Sequence, residues 1–370
     1  MRVLNPGYFA LVMATGIVSL AMDNHGLQAL SVPLLVLAMI AYGVLVVLTI
    51  WRLVAYPARM LADLRDARIA FGFFTFVAGT DVLGTALVNR QAYGAALGLL
   101  VVGGIGWLVL GYVVPWSVVL GRSRSTSVVQ QANGTWFIWV VASQSVAVLA
   151  AALEPQMDGI RRELALLAVV SWAVGLFLYG AAGVLVAARM MLYPIGPRDL
   201  TPPYFVSMGA TAITVVAGAR IVQMADAPMV AATRGLAAGV SVVFWAFGTW
   251  LIPVLLAAGF WRHVVHRIPL SYTAPLWSVV FPLGMYGVGS HFLGQADDLP
   301  IVEAIGANES WLALAVWALT FAGMLYHLTR TVLLGRPGGD GTDGSEPRPD
   351  APAARPGGDQ THEVAPGTPA

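Results

Sequence analysis

Cysteine and lysine are both absent from the 370 residues. Without Cys there is no disulfide, no thiolate nucleophile and no Cys-ligated metal centre, which leaves His and carboxylates as the only candidate ligands. Without Lys all 20 basic residues are Arg, scattered among short connections with no basic block of the kind nucleic acid requires. Charge is scarce altogether, 11% of residues against roughly 25% in soluble domains. A Walker Gly-rich loop, a G-x-S-x-G elbow and an H-E-x-x-H pair are also missing, which argues against an ATP-driven pump or a hydrolase and for a protein that is not an enzyme. The six His (His25, His263, His266, His291, His327, His362) include no i, i+4 pair and no carboxylate at metal spacing, so neither metal nor cofactor is expected.

What is present is apolar: 58% of residues are hydrophobic and the mean hydropathy is +0.75. The chain reads as an all-α integral membrane protein. Ten runs are long enough to cross a hydrocarbon core of about 20 helical residues. They fall near 6–23, 31–51, 69–89, 95–120, 133–153, 163–192, 202–224, 231–261, 275–294 and 303–333. Residues 1–334 form the transmembrane domain, and 335–370, rich in Gly, Pro, Asp and Thr, are expected to be a disordered cytoplasmic tail. The first run also resembles a secretory leader, but Asn5-Pro6 starts a helix and Met22-Asp23-Asn24-His25 lacks small-x-small cleavage residues.

Arg counts orient the bundle. Thirteen lie in or beside connections on one side and five on the other, which by the positive-inside rule puts both termini in the cytoplasm and runs odd-numbered helices outward. The Ala, Gly, Arg and Pro bias without Lys suggests a GC-rich bacterium, hence its inner membrane and a bilayer as partner.

Five odd-numbered runs share an aromatic start: Tyr8-Phe9, Phe73-Phe74, Trp136-Phe137, Tyr204-Phe205 and Val280-Phe281, with Phe-to-Phe spacings of 65, 63, 68 and 76. Six residues after each Phe stand Thr15, Thr80, Ser143, Thr211 and Gly287. The recurrence predicts five parallel hairpin repeats with quasi-fivefold symmetry, odd helices inside and even helices facing lipid. Phe9, Phe74, Phe137 and Phe205, the four hydroxyls, Gly287 and Gln144 are then candidate pore-lining groups. The alternative is that small residues permit close packing and that Gln144 bonds helix to helix.

The chain resembles the tellurite-resistance and C4-dicarboxylate transporter family, which includes plant slow anion channels, yeast malate permease and fungal sulfite pumps. The resemblance rests on Gly7-Tyr8-Phe9-Ala10-Leu11-Val12-Met13-Ala14-Thr15-Gly16-Ile17, on Trp136-Phe137 with Gln144, on Met208-Gly209-Ala210 with Ala217-Gly218-Ala219, and on Trp277-Ser278-Val279-Val280-Phe281-Pro282. It spans residues 5 to 334. It implies an anion channel or carrier for C4-dicarboxylate, sulfite, halide or nitrate, five outward helices around a pore in each subunit, a homotrimer, and a Phe gate whose match is Phe281. Independently, Pro282 removes a backbone hydrogen bond and kinks the helix beside that ring, although Phe281 also reads as ordinary core.

Asp81 and Arg220 are charges inside spans, at about 18 Å and 27 Å from the inner ends at 1.5 Å per residue. A pair bridged by the long Arg side chain, a snorkelling Arg220, and an Arg220 that attracts anions beside a proton-carrying Asp81 all remain open. From a different class, a membrane-embedded redox or haem protein would use His291 and His327.

Overall fold

The computed structural model describes residues 4–120, 127–224, 228–296 and 298–333, and among these the regular structure is helical throughout. Ten helices are long and apolar enough to span a bilayer. They are α1 (Ala10–Asn24), α2 (Gln28–Ala55), α3 (Phe74–Asn89), α4 (Tyr93–Leu120) and α5 (Phe137–Leu153), then α6 (Arg161–Leu192), α7 (Val206–Gln223), α8 (Pro228–Phe260), α9 (Trp277–Ala296) and α10 (Pro300–Leu328). The positions agree with the apolar runs to within a few residues.

Odd and even helices differ in kind. The even ones run 28 to 33 residues. The odd ones run 15 to 20, and each is entered through one 3-10 turn: Pro6–Phe9, Ala70–Phe73, Gly134–Trp136, Pro202–Phe205 and Ala274–Leu276. Three of these turns carry Pro at their first or second position, where its missing N–H would be unpaired anyway. Asn5 and Asn133 accept from the first free amides, Gly7 and Thr135, each at 2.8 Å.

The odd helices touch in the order α1, α3, α5, α7, α9, and α9 returns to α1; their 3-10 turns touch in the same closed order. Within the spanning windows the odd helices are 72–94% buried and the even ones 11–39%. The odd helices therefore form an inner ring. The even helices present apolar side chains such as Ile40, Phe177 and Leu319 outward, a surface suited to lipid.

One element was not anticipated: an amphipathic helix, Pro57–Arg65, follows α2 and is held by an ion pair of 2.5 Å between Arg52 and Asp63. The bundle is one unit, Met1–His327. Of the second, Leu328–Ala370, the described residues carry a π-helical turn at Thr329–Leu333. The tail expected over 335–370 lies outside the described residues.

The ring of 3-10 turns is close-packed at Gly134, where an added Cβ would sit 2.3 Å from the backbone of Pro203 and Tyr204. Gly134→Ala should therefore lower the thermal stability of the purified protein, by about 1–3 kcal/mol as for other overpacked sites. Gly43→Ala, on α2 with nothing within 4 Å of its Cβ, should be neutral or mildly stabilising. Equal melting of the two variants would contradict the closed ring.

Candidate functional site

A cavity of about 20 Å³, room for about one water molecule, lies inside the ring and is walled by all five odd helices. Its wall repeats. The aromatic at each junction of 3-10 turn and helix, Phe9, Phe74, Phe137, Phe205 and Trp277, serves as origin. Eight residues on lie Ile17, Val82, Ser145, Ile213 and Met285. Eleven residues on lie Leu20, Thr85, Val148, Val216 and Val288. Fifteen residues on lie Asn24, Asn89, Arg220 and Phe292. These offsets share one helical face, so each odd helix turns the same stripe inward.

The levels differ in chemistry. The first two are largely aliphatic, interrupted by Ser145 and Thr85. The third, at the C-terminal ends of the helices, is polar and cationic. There the Arg220 guanidinium lies over the Phe292 ring at 4.6 Å, and its Nε has no hydrogen-bond partner. Asp81 completes the wall. It is fully buried, with Oδ2 accepting from Ser145 at 2.8 Å and Oδ1 without a partner. Asp81 and Arg220 thus share a cavity but form no ion pair within 4.0 Å.

The repeated hydroxyls turn the other way. Thr15 Oγ1 accepts from Trp317 Nε1 on α10 at 3.0 Å, Thr80 bonds the Tyr42 hydroxyl on α2 at 2.9 Å, and Ser143 donates to the Ser171 carbonyl on α6 at 2.9 Å. Thr211 donates to the Met208 carbonyl of its own helix and lies where a Cβ on Gly248 of α8 would go. Gly287 packs against Ser310 and Gly306 of α10. Gln144 donates to the Trp172 carbonyl at 3.2 Å and abuts Gly175. These six groups, expected to line a pore, lie where inner and outer rings meet, and none is on the wall of this cavity.

The repeated Phe residues are not on the cavity wall either. Phe9 packs edge-on to Tyr42 of α2, Phe137 meets Tyr179 of α6, Phe74 stacks on Trp139 of α5, and Phe205 borders an apolar cleft with Tyr204 and Tyr272. Phe281 differs because the structural equivalent of these Phe residues in α9 is Trp277, one turn earlier. The register drawn through Phe281 was one turn too late, since two aromatics stand four residues apart. In the corrected register Phe281 falls on the inward stripe one turn before Met285, level with Met13, Ala78, Val141 and Gly209. It is 1% exposed, and the neighbouring Pro282 packs on Gly209, whose added Cβ would lie 2.9 Å from the Pro ring.

Sequence reasoning missed Asn24, Asn89, Ser145 and Phe292. The signal was present: Asn24, Asn89 and Arg220 stand at one offset from Phe9, Phe74 and Phe205. The two His residues considered as haem ligands are far apart. His291 lies 3.5 Å from Glu303 near the start of α10, and His327 sits beside Tyr272 near its end, about 36 Å away along the helix axis. Among the described residues no cluster of His, Asp or Glu suits a metal.

A ring of membrane-spanning helices around a small cavity, with Arg220 in no ion pair among the described residues, defines the class as a multi-pass membrane protein with a cationic group on its inner wall. A family model described as the voltage-dependent anion channel (SLAC1) matches residues 3–325, and the chain belongs to that family. An uncharacterized membrane protein of Mycobacterium tuberculosis is 68% identical over 157 residues, 42% of this chain and 80% of the relative. An uncharacterized transporter of Methanocaldococcus jannaschii is 26% identical over 326 residues, covering 85% and 90%. A sulfite efflux pump of Arthroderma benhamiae is 22% identical over 350 residues, covering 87% and 90%. The family places this protein among membrane anion channels and transporters.

The absence of native Cys allows a direct check of the wall. Thr85→Cys should react with methyl methanethiosulfonate, measured by mass, faster than Thr80→Cys, although both positions are buried. The reverse order would put the axis on the hydroxyl side.

Proposed function

We propose that the protein moves small anions along the axis of its inner ring and that Phe281 closes the path. The observation that carries this reading is the single cavity walled by all five odd helices; Phe281, one turn before the wall residue Met285 on α9, is read as lying on the same axis. An apolar ring in so narrow a passage blocks ions by excluding water. Pro282 leaves one backbone carbonyl of α9 without its helical donor, which loosens the helix beside the ring. Gly209 opposite gives the Phe281–Pro282 step its space.

Arg220 supplies the attraction. It stands at the cavity mouth with Asn24 and Asn89 as neutral donors and no carboxylate within 4.0 Å among the described residues. The aliphatic wall below offers little hydrogen bonding, so selection rests on charge and size. The sulfite pumps among the relatives support a small anion as the substrate. The protein is read further as a homotrimer of quasi-fivefold repeats in a bacterial inner membrane, with cytoplasmic termini and one path per subunit. The resemblance supports the trimer, and the Arg distribution supports the orientation.

In proteoliposomes Phe281→Ala should raise anion flux, and unchanged or lower flux in a monodisperse variant would count against the gate. Arg220→Gln should lower flux roughly tenfold, the equivalent of about 1.4 kcal/mol of lost attraction. Undiminished flux would remove Arg220 from the path.

A further inference from the structure

Among the described residues Asp81 is the one acidic residue on the cavity wall, and its hydrogen bonding is incomplete. Ser145 Oγ lies 2.8 Å from Asp81 Oδ2 and 2.8 Å from the Ala142 carbonyl. A hydroxyl has one proton and both neighbours are acceptors when the carboxyl is ionised. With the carboxyl ionised the single Ser145 proton is shared between Asp81 Oδ2 and the Ala142 carbonyl; a protonated Asp81 can instead donate to Ser145 Oγ while Ser145 donates to Ala142, so that each contact has a proton of its own. The other oxygen, Oδ1, faces Gly103 of α4, where an added Cβ would lie 2.1 Å away, and meets no donor.

The surroundings offer little else. α1 contributes Asn24 to the shared cavity, α2 brings the Tyr42 hydroxyl, which is held by Thr80, and α4 brings Gly103 with no charged residue along its length. α5 gives Ser145, α7 gives Arg220 beyond 4.0 Å, and α9 gives Met285, Val288 and Phe292. On α3 itself the neighbours are Thr80, Thr85 and Asn89, all uncharged. An isolated charge in a membrane interior costs several kcal/mol, and a bare carboxylate would repel an anion drawn in by Arg220.

We propose that Asp81 is a reversible proton-binding site on the anion path, so that an anion and a proton cross together. The carboxylate takes a proton from solvent at the mouth marked by Asn24 and Asn89, giving the neutral acid hydrogen-bonded to Ser145. The anion then passes the neutral site, and the proton leaves to the opposite side. Charge balances, because one anion and one proton move in the same direction. The proposal rests on the axial anion path set out above, and its tests separate the two.

The first test needs no transport. Infrared pH-difference spectra of the purified full chain should contain a protonated-carboxyl C=O band that Asp81→Asn removes and Ser145→Ala shifts by weakening its hydrogen bond. Identical spectra for wild type and Asp81→Asn overturn the proton site whatever the protein transports. The second test uses proteoliposomes containing a pH-sensitive dye and given inward gradients of chloride or nitrate. Wild type should acidify the lumen in step with anion entry, faster at lower external pH, and Asp81→Asn should lose both the acidification and the pH dependence. Anion entry without proton movement in wild type overturns the coupling and leaves the axial path standing. No anion entry at all, with the infrared band lost in Asp81→Asn, overturns the path and the coupling but keeps the proton site.

Discussion

Close approach of the five odd helices, permitted by glycine where one helix receives a side chain of the next, is the constraint on which the rest of the structure depends. An added Cβ at Gly16 would lie 2.7 Å from Val82 on α3, at Gly84 2.4 Å from Leu149 on α5, and at Gly284 2.9 Å from Ile17 on α1. Lipid provides no hydrophobic drive for helices to associate, so van der Waals fit of this kind supplies much of the cohesion. It also sets the bore. A ring this tight leaves a cavity with room for about one water molecule. The outer helices complete the seal: their indole, phenol and carbonyl groups satisfy the hydroxyls on the backs of the inner helices and leave the inward faces mainly aliphatic.

Against that aliphatic background two charges stand out. Asp81, at mid-span, would cost about 2.5–3.5 kcal/mol as an isolated charge on insertion scales, Arg220 stands in the last turn of α7, and the two do not pair within 4.0 Å. Arg220 is offset in part by the face of Phe292, a contact worth up to about 2 kcal/mol when desolvated. Asp81 has Ser145 alone. In the proposed reading the separation matters, because a structural ion pair would leave neither group to act on an ion or a proton.

The sequence made the architecture legible because long apolar runs fix the number of spans and recurrent aromatic starts fix which helices are alike. The division into inner and outer helices followed from the same recurrence. The inward face did not. Thr15, Thr80 and Ser143 recur at one depth and are polar, which suggested a lined path, but a buried hydroxyl needs a partner, and Trp317, Tyr42 and the Ser171 carbonyl supply it from the outer ring. Helical phase relative to a neighbour is a tertiary property that periodicity alone does not carry. The same gap explains the slip in α9. With Trp277 and Phe281 both aromatic and one turn apart, only the position of the 3-10 turn Ala274–Leu276 identifies Trp277 as the equivalent of the other four aromatics. In that register Phe281 stands one turn beyond the shared aromatic position, on the same helical face as the wall residues Met285 and Val288.

The claim that joins fold to function is that the ring passes anions and excludes cations. Proteoliposomes loaded with potassium chloride or potassium nitrate, diluted into an isosmotic medium free of both, and read with anion- and potassium-selective electrodes address it directly. In the presence of valinomycin and a protonophore, which supply counter-ion movement for either a conductive or a proton-coupled route, protein-dependent anion release is the predicted result. Without the ionophores potassium should stay inside. Protein-dependent potassium release without them, or no anion release with them, would contradict the account.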